Sequence, residues 1–244
     1  MNLQGRCISA CELSRDEKNR MFEILTTYYN NILRETFERD LREKDWVILL
    51  HDAATRKIQG FSTQMVLDLS VAGVPVKAIF SGDTIIEKGY WGKSALFLQW
   101  LDFACCVKEM CGARKLYWFL ISMGYKTYHI LPLYFKEFYP RFDKGTPRFE
   151  KEVLDVLGSM KYPVEYDCSD GVFHFSGSSA CLKPGVADID ERRLRNPHIR
   201  FFTEKNPCHG MGDELACLAE VSLDNFTPAV NRLLAALDKT GAVV

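Results

Sequence analysis

Two carboxylates, Asp83 and Glu87, flank the apolar pair Ile85 and Ile86 near the end of a run of β-forming residues that begins at Val76. Side chains alternate along a strand, so Asp83, Ile85 and Glu87 share one face and Thr84 and Ile86 the other. Carboxylates placed together in this way can accept a proton from an attacking group. A carboxylate inside an otherwise apolar strand costs free energy unless it is paired or used, which singles out Asp83. The structural alternative is a hydrogen bond to a neighbouring turn. Glu87, directly before Lys88-Gly89, has the alternative of an exposed turn residue. Elsewhere, Cys208-His209 sets an imidazole next to a thiol, although adjacent residues rarely turn toward each other as a nucleophile and its base must. Cys105, Cys106 and Cys111 lack the paired two-residue spacing of zinc ligands and the histidines are dispersed, so no metal is expected. Buried apolar cysteines are the plainer account. The run Glu191-Arg-Arg-Leu-Arg195, with His198 and Arg200, is basic and suits either an anionic partner or a solvated helix face.

The elements that position these residues are legible from periodicity. Ser14 with Glu17 three residues later is a capping-box signature, and Met21, Ile24, Leu25, Tyr28, Ile32, Leu33 and Phe37 continue at helical spacing. One helix, or two with a break near Asn30 and Asn31, is expected over 14–44, after a short apolar start at Cys7–Leu13. Trp46–His51 and Ile58–Leu69 read as a hairpin, and Val76–Glu87 follows as a third meander strand after the turn Val71–Pro75. Ser94–Met110 has helical spacing and ends at Cys111-Gly112. Leu116–Ile121 is a buried strand by its continuous apolar run. Tyr125–Tyr139 reads as a helix with Pro132 kinking it or sitting in its first turn. Further on, a helix is expected at Phe149–Met160 and a hairpin over Val164–Phe175 about Asp170-Gly171. Ser176–Pro184 reads as loop and Ile199–Thr203 as strand. Asn206–Gly212 is a turn, Leu215–Leu223 a strand or short helix, and Pro228–Leu237 a terminal helix.

Composition bounds the function. With 244 residues, 47% of them hydrophobic, the chain can bury a substantial core as one domain or a domain with an appendage. Lys+Arg 31 against Asp+Glu 32 leaves a net charge of -1, so no global field attracts nucleic acid or anionic membrane. Nine scattered cysteines argue against a disulfide scaffold and for a reducing compartment. No apolar signal core and no long apolar run is present, and a cytoplasmic protein without a membrane span is expected.

The segment Phe80–Leu96, with Gly-Tyr-Trp-Gly-Lys-Ser-Ala-Leu closing it, resembles the strand, turn and helix start by which GNAT-family acyltransferases hold an acyl-thioester carrier. The order helix, three meander strands, glycine turn, helix, strand and helix over 14–139 is similar to the core of that family. The resemblance implies an α/β (α+β) fold with a mixed, mostly antiparallel central sheet flanked by helices. It implies a core at 1–142 and a C-terminal extension at 143–244 that completes the sheet or the acceptor site. Backbone amides of Gly92, Lys93, Ser94 and Ala95 would meet the carrier's phosphates at a helix N-terminus, with Lys93 adding a cation. Backbone at Ile85 and Ile86 would polarise the thioester carbonyl, Asp83 or Glu87 would take the amine's proton, and Tyr134, in a segment similar to the family's late helix, would protonate the departing sulfur. The thioester would lie between the strand ending at Ile86 and the one ending at Ile121. Trp91, Ser94 and Leu96 depart from the family's phosphate-loop pattern. That suits a carrier other than coenzyme A, such as an acyl carrier protein, as in the acyl-homoserine-lactone and N-acyl amino acid synthase branch. The expected function is transfer of an acyl group from acyl-CoA or a carrier-bound phosphopantetheine thioester to a small-molecule or peptide amine, in a possible homodimer. A module of the same fold that binds or senses acyl thioesters without turnover is the alternative, and a thiol hydrolase built on Cys208 a third.

Overall fold

The computed structural model describes residues 2–175 and 180–240, with side chains to Leu234. Helix α1 (Arg15–Tyr28) opens with the expected capping box: Glu17 N donates to Ser14 Oγ, and Ser14 N donates to Glu17 Oε2 at 2.9 Å. Met21, Ile24, Leu25 and Tyr28 form its buried stripe. A short strand β2 (Tyr29–Asn30) follows, Asn31 takes φ 59°, and α2 (Arg34–Arg42) buries Phe37 and Leu41. Two helices with a break at Asn31 result, because asparagine tolerates the left-handed conformation that ends a helix.

Before α1 lies strand β1 (Leu3–Ser9), which the sequence reading misses. It pairs antiparallel with β3 (Trp46–Asp52), from Leu3 opposite Asp52 to Ser9 opposite Trp46. Gln4, Arg6 and Cys7 are exposed, so this edge strand lacks the apolar alternation by which strands are recognised. In β3 the run Val47–Leu50 is wholly buried. The meander continues through β4 (Ile58–Val71) and β5 (Val74–Ile86) to helix α3 (Ala95–Cys111), which packs on β1 and β3. Gly112, at φ 59°, closes α3, a conformation that favours glycine.

Strand β6 (Lys115–Ser122) is followed by α4 (Tyr125–Tyr128) and α5 (Ile130–Tyr134), with Pro132 in the first turn of α5. The expected helix to Tyr139 is not formed. Residues 135–139 instead pass through a bend at Lys136 and Glu137 between two antiparallel bridges, Phe135 with Phe226 and Tyr139 with Leu218; Tyr139 and Leu218 exchange both backbone hydrogen bonds at 2.8 Å, and Lys136 N donates to Asn225 O. The Asn225 side chain grips Glu137 from both sides, accepting from its N–H and donating to its C=O. Next come α6 (Arg148–Lys161), the hairpin β7 (Tyr166–Asp167) and β8 (Val172–Phe173), and β9 (Cys181–Leu182). Part of the loop expected at 176–184, residues 176–179, lies outside the described residues. The chain ends with α7 (Glu191–Leu194), α8 (Pro197–Lys205), β10 (Glu214–Glu220) and α9 (Pro228–Thr240). The strand expected at Ile199–Thr203 is instead helical. Asn196 caps α8 by accepting from His198 N, Pro197 takes the first helical position, and the buried Ile199 and Phe202 stand one turn apart.

The fold is α/β, with mostly antiparallel strands flanked by helices, in two compact units. One comprises the chain to Leu67 with Ile79–Ala113 and carries the strand order β1-β3-β4-β5. The other comprises Asp68–Ala78 with the chain from Arg114 onward and carries β6-β10-β8-β7. Among the described residues no helix is long and apolar enough to cross a membrane.

Candidate functional site

The candidate site of the first unit is the passage from the end of β5 to the start of α3. Gly60 of β4 makes it possible for the strands to close there: a Cβ at this position would lie 2.8 Å from the Ile85 carbonyl oxygen. Ile85 is buried, and the Ile86 carbonyl accepts from the Trp91 indole N–H at 2.8 Å. Trp91 thus folds back on the strand it follows, with its ring 5.9 Å from that of Tyr28. Glu87 N donates to Gln59 O, which fixes where β5 leaves its neighbour.

Glu87 is not an exposed turn residue: it is half-buried, and both of its carboxylate oxygens are engaged. Its Oε1 accepts from Arg20 Nη2 at 2.7 Å and its Oε2 from the Tyr28 hydroxyl at 2.6 Å. The Tyr28 oxygen in turn accepts from Lys88 N at 2.6 Å, and Arg20 Nε donates to Ile58 O. Burial and the Glu87 carboxylate push the Tyr28 hydroxyl up to about 12, so it remains a donor. The group ties α1 to the strand end. Arg20 and Tyr28 are partners of Glu87 that sequence reasoning missed, since Tyr28 reads as one more apolar position of α1 and nothing local links Arg20 to Glu87.

Beyond a single 3-10 turn at Lys88–Tyr90, the Tyr90 hydroxyl donates to Asp52 Oδ2 at 2.6 Å. That bond, with those from Thr55 and Ala54, holds the Asp52 carboxyl down at about 2. Gly92 adopts φ 78°, where a side chain would be strained. Gly92, Lys93 and Ser94 are exposed, and the Lys93 amide, expected to meet a phosphate, donates instead to the Tyr90 carbonyl at 3.3 Å. The Lys93 ammonium lies 5.3 Å from the centre of the Tyr90 ring. Ser94 occupies the N-cap position of α3; its carbonyl accepts from Leu98 N, and its hydroxyl makes no capping bond. The amides of Ala95 and Leu96 therefore stand in the first turn of a 17-residue helix, without an acceptor inside it. Leu96, one of the departures from the family pattern, packs with Ala95 and Ile86 against Leu3, Leu50 and Tyr90. Its bulk belongs to the apolar cluster beneath the turn.

Asp83 is half-buried between Gly82 and Thr84. The structure thus brings Asp83, Ile85, Ile86, Glu87 and Gly92–Ala95 into one unit. Tyr134 and the strand containing Ile121 belong to the other. Tyr134 is the last residue of α5, its carbonyl accepts from Thr227 N at 3.0 Å, and burial raises its hydroxyl pKa. The proton therefore stays on the phenol through neutral pH, as a donor requires.

The other candidates resolve within the second unit. The His209 ring packs on Phe202 at 5.4 Å and burial lowers its pKa, which accounts for it as a packed aromatic residue beside Cys208. In the basic run, Arg193 donates to the Tyr125 hydroxyl at 2.7 Å and pairs with Asp190 at 2.9 Å. Among the described residues Asp167, Asp170 and His174 offer ligand atoms within 4.8 Å of one another.

No protein family matches the sequence, and neither does any curated protein. Among solved structures, the chain is similar to a conserved protein of unknown function from Enterococcus faecalis described as a probable N-acyltransferase, with 16% identity and a TM-score of 0.40. The likeness covers 55% of this chain and 33% of that one, so it spans about a third of the Enterococcus protein. An acetyltransferase from Trypanosoma brucei is similar at 13% identity over 60% of this chain and 98% of its own, with a TM-score of 0.38. A GNAT family N-acetyltransferase from Escherichia coli in complex with CoA is similar at 14% identity over 50% and 64%, with a TM-score of 0.35. At these scores the likenesses stand as likenesses, and no functional step below rests on them.

Proposed function

We propose that this chain is a GNAT-type N-acyltransferase that moves an acyl group from a coenzyme A or carrier-protein thioester to an amine by direct attack. The observation that carries the reading is the exposed turn Gly92–Ser94 at the end of β5, which opens a 17-residue helix whose N-cap serine does not cap it. Amides at a helix start and the helix dipole favour a phosphate there, and Lys93 adds positive charge. Backbone at Ile85–Ile86 polarises the thioester carbonyl. The amine nitrogen bonds to the carbonyl carbon and gives its proton to Asp83; the carbon–sulfur bond breaks, and Tyr134 protonates the thiolate. Glu87, engaged by Arg20 and Tyr28, holds the strand end in place and is the weaker candidate for base.

The test is incubation of the purified chain with acyl-CoA thioesters of increasing length, with carrier-bound acyl groups, and with a panel of small and peptide amines, read by mass spectrometry. An acylated amine is expected. Tyr134→Phe should lower kcat by about a hundredfold or more, at the low end of general acid–base effects, with little change in the donor KM. Equal rates for mutant and parent remove Tyr134 from the mechanism. A retained thioester with no acylated amine would show a binding module instead, and an acyl group left on Cys208 a thiol hydrolase.

A further inference from the structure

Four polar side chains lie together between β4 and β5 where apolar residues would be expected. Ser62, Gln64 and Ser81 are 2%, 0% and 6% exposed, and Thr84 is half-buried. Buried polar groups are costly unless bonded, and these are bonded to one another. Ser81 Oγ donates to Gln64 Oε1 at 2.7 Å, and Gln64 Nε2 donates to Ser62 Oγ at 2.7 Å. Ser62 Oγ and Thr84 Oγ1 are 2.6 Å apart, and Thr84 Oγ1 donates to the Gly82 carbonyl at 3.1 Å. A hydroxyl has one hydrogen, so Thr84 accepts from Ser62, and the chain runs in one direction from Ser81 to the Gly82 carbonyl.

The chain also shows where β5 departs from regular geometry. Ser62 and Gln64 share a face of β4, and both Ser81 and Thr84 reach it, although residues three apart in a regular strand face opposite ways. Gly82 faces the other side, where a Cβ would lie 2.7 Å from Thr63 Oγ1 and 2.8 Å from Lys44 Cε. Between Gly82 and Thr84 the strand therefore holds one residue more than alternation allows, and that residue is Asp83. Such a bulge re-aims a side chain.

We infer that the Ser81–Gln64–Ser62–Thr84 chain is the positioning device for Asp83: by holding the Gly82 carbonyl through Thr84, it fixes the bulge that directs the Asp83 carboxylate. The inference rests on the acyl-transfer reading for what Asp83 does, but the bulge itself can be tested without it. None of the four residues is assigned contact with a substrate; each acts through the backbone on either side of Asp83.

The variants are Thr84→Val, which removes the hydroxyl at nearly constant shape, and Thr84→Ser, which keeps it. Amide hydrogen exchange over residues 82–86 should quicken in Thr84→Val and stay at the parental rate in Thr84→Ser. With a transferred amine in hand, Thr84→Val should lower kcat about tenfold with donor KM within about twofold, and shift the acidic limb of the pH–kcat profile, because the base is displaced while binding is not. Thr84→Ser should recover most of that rate. If both variants exchange and turn over like the parent, or if valine and serine behave alike, the positioning role is wrong. Failure of the parent protein to acylate any amine would sink the transferase reading alone, and the exchange result would then decide the bulge.

Discussion

A carboxylate's role is decided by what it touches. Asp83 and Glu87 carry the same chemical group four positions apart, yet Glu87 has each oxygen engaged by a donor from α1, at 2.7 and 2.6 Å. Charge-assisted hydrogen bonds of this kind fix a carboxylate in place, here against α1. Removing its charge would cost Arg20 the more buried of two ion pairs and leave it the one to the exposed Glu23 at 3.2 Å. Glu87→Gln should therefore destabilise the protein by about 1.5–3 kcal/mol in a denaturant melt, the range for a hydrogen bond to a charged group, while kcat stays within about threefold of the parent. A loss of kcat of about a hundredfold with unchanged stability would return Glu87 to the role of base.

At the scale of elements, the second unit has a charged clasp between β8 and the turn before β10. His174 Nδ1 lies 2.8 Å from Asp213 Oδ2 and its Nε2 3.0 Å from Asp170 Oδ2. Asp213 also accepts from Phe175 N at 3.1 Å, and the buried Asn206 donates to the Asp213 carbonyl at 2.8 Å. Asp213 first, and then Asp170, raise the His174 pKa. The clasp's contribution to stability is thus fully present below the unfolded histidine value of about 6.5 and is lost as pH rises through the higher native value. With His174 about half exposed, solvent screens the pair and the effect is small. The gap in Tm between the parent and His174→Gln should be wider at about pH 5.5 than at about pH 9, measured by thermal melts across that range. A gap independent of pH would mean that the imidazole is held for its shape and not its charge.

For the whole molecule, the proposed carrier supplies a direct measurement, since a ligand that binds only the folded chain raises its stability by mass action. At a hundredfold excess over its dissociation constant the gain is about 2.7 kcal/mol. Coenzyme A should raise Tm, and pantetheine, which lacks the phosphates proposed to sit at Gly92–Ala95, should raise it less. If the two shift Tm alike, the turn is not a phosphate site. If neither does, and a carrier-bound acyl group does, the donor is a carrier protein. Nine free cysteines include the fully buried Cys217, whose thiol burial pushes up to about 12, so reducing conditions suit such melts.

The amino-acid sequence alone determined what depends on near neighbours. The Ser14–Glu17 box, the buried stripe of α1, the hairpin of β3 and β4, the span of α3 and its stop at Gly112 were all legible, because a helix turn or a strand pleat is set within a few residues. The turn at Gly92–Ala95 was legible for the same reason. Tertiary structure decided the rest through partners far along the chain. Glu87 meets Arg20 and Tyr28 across separations of 67 and 59 residues, and nothing near Glu87 encodes that pairing. The stretch after Tyr134 has helical spacing, but Asn225, 88 residues beyond Glu137, takes up the Glu137 backbone groups and the helix does not continue. The bulge at Asp83 exists only where Gln64 and Ser62 stand opposite Ser81 and Thr84. Local pattern sets which way a side chain tends to face; only the packed partner sets what that side chain can do.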